Sequence, residues 1–109
     1  MPVGLETKVE IWAAEVEALR RADYYMEVTN ALVIRDGIQD ALSAGGKLSP
    51  SHEALLRKAD DKLLAQRERL VARFPEVFTP DRQEAGPRSH WWWFLNEGPQ
   101  VREKAREAA

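Results

Sequence analysis

Apolar residues open the chain at Leu5, Val9, Trp12, Val16 and Leu19, in steps of 4, 3, 4 and 3. Residues so spaced share one stripe on an α-helix, and on no other regular element. Glu6, Glu10, Glu15, Glu17 and Arg20 fall off that stripe. The pattern continues less cleanly through Ala22, Met26, Val33, Ile34, Ile38 and Leu42, which predicts a first helix over about 5–44. Gly37 lies inside it and costs roughly 1 kcal/mol relative to alanine. The helix is therefore expected either to run unbroken or to bend or break near Asn30 or Gly37. Asp36-Gly37 is also a turn signal. A β-hairpin there is disfavoured, because Ile38-Gln39-Asp40-Ala41-Leu42 keeps helical spacing and is poor in β-branched residues.

Ser43-Ala44-Gly45-Gly46-Lys47 is the clearest break, since two glycines suit the left-handed backbone that ends a helix. Ser49 then offers an N-cap and Pro50 a first helical residue, with Leu48 placed as a hydrophobic staple. A second helix is expected over about 50–74, with a stripe of Leu55, Leu56, Ala59, Leu63, Leu64, Leu70, Val71 and Phe74. Pro75 ends it, because the residue before a proline is pushed out of helical geometry. Residues 75–90 read as a connector pinned by Val77 and Phe78. Ser89 is placed to cap a short helix through Leu95, and Asn96-Glu97-Gly98-Pro99 stops it. Gln100 to Ala109 is helix-compatible but holds only Val101 as a large apolar group, so a frayed or mobile end is expected. The fold class is all-α: an antiparallel hairpin of two long helices over 1–74, with a tryptophan-rich segment in 75–109 folded back, in one domain.

A single straight helix of 40 residues would be about 60 Å long, whereas a compact chain of this size is nearer 35 Å across. The second helix cannot cover such a rod. This predicts a homodimer that completes a four-helix bundle. Residues 1–50 hold 5 Lys or Arg against 8 Asp or Glu, and residues 51–73 hold 6 against 4. Oppositely charged flanks would set register more than they stabilise.

Composition narrows function by exclusion. A chain of 109 residues fits one ordinary domain. Its 44% hydrophobic content and net charge of −2 exclude a wholly disordered chain and give no global pull toward nucleic acid or anionic lipid. The absence of cysteine excludes disulfides, thiolate metal sites and cysteine nucleophiles, and suits a reducing compartment. No apolar run is long enough to span a bilayer, so no membrane partner is expected. The N-terminus lacks a basic region followed by an apolar stretch, which points to a cytoplasmic location.

Trp91-Trp92-Trp93-Phe94 is the most unusual feature. On a helix these residues point in directions about 100° apart, so they do not all face one core. They either seal the end of a bundle or form a docking surface, since tryptophan is a favoured interface anchor. With His90 they are the candidate partner-binding residues. Lys58, Lys62, Arg69 and Arg73, at steps of 4, 7 and 4, form a candidate nucleic-acid strip, interrupted by Asp60, Asp61 and Glu68. His52-Glu53 begins like a zinc-protease helix, but Leu56 stands where the second histidine would be. Glu10, Glu17 and Asp23 read as surface charges. Asp23 and Glu27, beside Tyr24 and Tyr25, are the best polar candidates to line a cavity. There is no phosphate-cradling glycine loop, and adjacency of Ser89 and His90 does not make a nucleophile–base pair. No catalytic residue, metal ligand or cofactor is therefore assigned. The expected function is a non-enzymatic helical module that binds another protein through its aromatic tail. A nucleic-acid-binding regulator and a ligand-binding bundle with a pocket under the tryptophans are the alternatives.

Overall fold

The computed structural model describes residues 3–84 and 86–108. Met1, Pro2, Ala85 and Ala109, which belong to the expected terminal segments and connector, lie outside the described residues. Among the described residues every regular element is helical and there is no strand. The chain divides into two units, Met1–Leu63 and Leu64–Ala109.

The first unit holds three α-helices. Helix α1 spans Leu5–Ala18 and ends in a tight turn over Leu19–Arg21. Helix α2 spans Tyr25–Ser43, and α3 begins at Pro50 and runs to Ala65, across the boundary between the units. The expected long first helix is thus two helices, and its break is at Ala22 to Tyr24, not at Asn30 or Gly37. Ala22 (ψ 134°) and Tyr24 (ψ 136°) are extended. The Glu27 carboxylate accepts the Asp23 N–H at 2.8 Å and the Tyr24 N–H at 3.1 Å, so two amides at the start of α2 keep partners. The gain is burial, because α1 and α2 can now pack on each other. The premise of the length argument goes with the break: helices of 14 and 19 residues are about 21 and 28 Å long, not about 60 Å.

The break also resets the helical phase. On α1 the anticipated stripe is inside, with Val9, Trp12, Val16 and Leu19 buried. On α2 the buried residues are Val28, Thr29, Ala31, Leu32, Arg35 and Ile38. Of the anticipated continuation, Ala22 and Ile38 are buried, Met26, Ile34 and Leu42 are half-buried, and Val33, 53% exposed, is the one that faces outward.

Helix α2 ends where the two glycines stand. The Gly46 N–H reaches the Ala41 carbonyl at 2.8 Å and the Gly45 N–H reaches Leu42 at 3.1 Å, which are the two bonds of a Schellman cap. Gly45 has φ +100°, a conformation that glycine adopts without a steric penalty. Ser49 caps α3, its Oγ accepting the His52 N–H at 3.2 Å.

One carboxylate joins all three helices of this unit. Asp60 on α3 accepts from Trp12 on α1 and from Arg35 on α2, and each of the three residues is at most 5% exposed.

The second unit is built from short elements. The expected second helix stops after Ala65; Gln66 (φ −97°, ψ 0°) separates it from α4, Arg67–Arg73. A tight turn over Pro75–Val77 and the short helix α5, Pro80–Glu84, follow. Two more tight turns cover Trp91–Trp93 and Leu95–Glu97, and α6 covers Val101–Ala108. Apart from Ala109, the expected frayed end is thus a helix, and Val101 and Ala105 on it are buried.

Candidate functional site

The aromatic segment is core, which corrects its reading as an open docking surface. Trp91 is 5% exposed, Trp92 0%, Trp93 9%, Phe94 3% and His90 7%. The expected single helix from Ser89 to Leu95 is replaced by two tight turns, with Phe94 (φ −114°, ψ 28°) between them. A segment that is apolar on every side can be satisfied by running through an interior with walls all round it. Here the first turn packs against α6 and the second against α4. Its backbone carbonyls find donors, as burial requires: Gln83 Nε2 donates to Trp93 O at 3.1 Å and Arg67 Nε to Leu95 O at 3.0 Å. His90 stacks on Trp92 with ring centres 4.8 Å apart, and Trp91 meets Trp92 edge-on at 5.6 Å. Arg88 lies 4.4 Å over the Phe94 ring while holding both oxygens of Glu97 at 2.9 Å. That contact raises the Arg88 pKa.

The four basic residues are carried by two helices: Lys58 and Lys62 lie on α3, Arg69 and Arg73 on α4. Lys62 stands 3.4 Å from Glu17, and Arg73 lies 5.6 Å from the Phe74 ring centre.

His52 gathers a polar cluster that its sequence position did not reveal. Its Nε2 is 2.8 Å from Glu10 Oε2, and its Nδ1 is 2.8 Å from Ser49 Oγ and 3.2 Å from Glu6 Oε2. Serine, histidine and glutamate in a row suggest a nucleophile and base. Two features oppose that here: Ser49 Oγ already caps α3, and Glu6 competes for the ring nitrogen that faces the hydroxyl. The cluster is a tie between α1 and α3. Its backbone bond, Ser49 N–H to Glu6 at 3.0 Å, is the largest of the effects that lower the Glu6 pKa. Among the described residues no three His, Cys, Asp or Glu side chains gather as a metal site would require.

The most distinctive open surface is on α2. Met26, Asn30, Val33 and Gly37 fall within about 60° of one another around the helix axis and carry no charge. A Cβ added at Gly37 would meet nothing within 4 Å. This face continues into a groove of about 260 Å³ between α1 and α2, lined by Glu15, Ala18, Leu19, Ala22, Glu27, Asn30 and Ile34. Of the acidic pair singled out beside the tyrosines, Glu27 lines this cavity and Asp23 does not. The sequence marks Glu27 but not the walls around it, which exist only where the chain breaks at Ala22 to Tyr24.

Compared with protein families, with curated proteins and with solved structures, the chain matches none.

Proposed function

We propose that this chain is a non-enzymatic helical interaction module whose contact surface is the uncharged face of α2, and that its first partner is a second copy of itself. The exposure of Val33 at 53%, in the middle of that face, carries the proposal. Met26, Asn30, Val33 and Gly37 would meet their copies with no like-charge repulsion, exposed Asp40 bounds the patch on its C-terminal side, and a two-fold axis would set the patch against itself. Gly37 would let the helix backbones approach closely. A face about three turns long belongs to the small end of interface sizes, so the association is concentration-dependent. Two such pairs of helices, α1 with α2 from each copy, would make a four-helix arrangement.

Sedimentation equilibrium over a range of concentrations tests this. The wild type is expected to shift from monomer to dimer mass as concentration rises. Val33→Glu is expected to stay monomeric with an unchanged melting temperature, because the side chain it replaces is half in solvent. A wild type that remains monomeric throughout overturns the proposal.

A further inference from the structure

We propose that Phe94 and Glu97 form a recognition site for a guanidinium group, and that Arg88 of the same chain occupies and blocks it. This does not rest on self-association, and the site lies wholly within the second unit.

The seat of Arg88 defines the chemistry. Its two terminal nitrogens meet the two Glu97 carboxylate oxygens at 2.9 Å each, and its guanidinium carbon lies 4.4 Å from the centre of the Phe94 ring. A carboxylate that takes a planar fork at both oxygens beside an aromatic face selects guanidinium over ammonium, which has no fork to match it. The seat is set by the backbone: the Glu97 N–H donates to the Phe94 carbonyl at 2.9 Å, which holds the two residues at one spacing. Among the described residues the Glu97 carboxylate has no hydrogen-bond partner besides Arg88. Phe94 is 3% exposed and the Arg88 side chain 61%, so the cover lies in solvent and the ring it covers does not.

Arg88 is also replaceable. It is carried on an exposed segment, residues 86–89. Among the described residues Gly86, Pro87 and Ser89 make no side-chain hydrogen bond or ion pair, and the Pro87 carbonyl takes the His90 N–H at 3.0 Å within its own turn. An exposed ion pair and an exposed cation–π contact each hold a group weakly. A guanidinium from outside would make the contacts of the one it displaces, and would compete only against the effective concentration of a tethered side chain. Hollows flank Arg88 and Phe94 on both sides, one of about 350 Å³ toward Gln83 and Glu84 and one of about 50 Å³ toward Val101 and Lys104. Lys104 repels a cation from the smaller and Glu84 attracts one to the larger, so the newcomer enters along α5. Such a group is carried by free guanidino compounds and by arginine side chains of proteins.

The test is an amide-resolved NMR titration of the full chain, wild type and Arg88→Ala, with methylguanidinium, with arginine capped at both termini and with lysine capped in the same way. Arg88→Ala is expected to stay folded, because the side chain it removes is largely in solvent. Saturating shifts are expected at the amides of Gln83, Phe94 and Glu97 with both guanidinium probes and not with capped lysine. Arg88→Ala is expected to bind them about tenfold more tightly than the wild type, the scale of the exposed ion pair and cation–π contact that no longer compete. Glu97→Gln added to Arg88→Ala is expected to abolish binding, and Glu103→Gln, an exposed carboxylate outside the site, to leave it unchanged. Tighter binding of capped arginine than of methylguanidinium assigns the site to a partner protein's side chain; equal binding assigns it to a free guanidino compound. No saturation of Arg88→Ala by either guanidinium, an equal response to capped lysine, or a wild type that binds as tightly as Arg88→Ala overturns the proposal.

Discussion

Arg35 grips Asp60 with two parallel bonds, Nε to Oδ1 at 3.0 Å and Nη2 to Oδ2 at 3.0 Å, inside the first unit. Trp12 Nε1 adds a third bond to Oδ1 at 3.0 Å. Both charges are out of water, so the pair contributes most by fixing which helix faces meet, and it is costly to break. Asp60→Ala leaves a buried guanidinium and a buried indole N–H without their acceptor. The expected loss is about 3–5 kcal/mol by urea denaturation. Arg35→Met combined with Asp60→Leu is expected to recover most of it, because no buried charge then remains. A single variant that unfolds at the wild-type midpoint contradicts this role.

The aromatic segment answers to the same kind of measurement. Trp92 has no exposed surface, and Trp92→Ala removes a large core side chain. The expected cost is about 3–5 kcal/mol. A tryptophan in an open docking surface would cost almost nothing, so an unchanged denaturation midpoint would restore that reading.

Gly37 gives the opposite sign. A Cβ there meets open space, and the residue sits inside α2 with an ordinary helical backbone. Gly37→Ala is expected to stabilise the chain by about 0.4–1 kcal/mol, through helix propensity and a less flexible unfolded state. Gly46→Ala is expected to destabilise, since its Cβ would stand 2.7 Å from the Ala41 carbonyl oxygen.

The acid limb of stability should report Glu6. Its pKa in the folded chain is lowered from 4.5, chiefly by the Ser49 N–H, with the Ser49 side chain and His52 assisting. A carboxyl depressed on folding contributes stability that is fully present above 4.5 and is lost as pH falls through the folded value. Glu6→Gln should therefore flatten the pH dependence of the melting temperature below about 4.5 and leave its shape near neutrality unaltered. NMR titration of the Glu6 carboxyl should give a midpoint below 4.5; one at or above it removes the effect.

Much of this architecture is legible in the residues themselves. Leu5 to Leu19 states a helical stripe, Gly45-Gly46 a C-cap, and Ser49-Pro50 an N-cap, because each is a local signal read from adjacent residues. The break at Ala22 to Tyr24 is not legible in the same way. Its cap is Glu27, but the N-cap position holds Tyr24 instead of a serine or threonine, and what favours the break is the mutual burial of α1 and α2. Missing that break puts exposed Val33 inside. It also inflates the helix to a length that one short partner helix would not cover. Asp60 reads as an interruption in a basic strip because its partners, Trp12 and Arg35, are 48 and 25 residues away. The burial of Trp91 to Phe94 requires walls from α4 and α6, and no local spacing announces them.

The central functional claim is that the α2 faces of two copies meet around Val33. The chain has no cysteine, so one introduced cysteine reports on one position. Under mild oxidation, Val33→Cys is expected to form an intermolecular disulfide much faster than a control cysteine at exposed Lys104. The difference should vanish when Met26→Glu is added on the same face. Equal rates at the two positions would contradict the account.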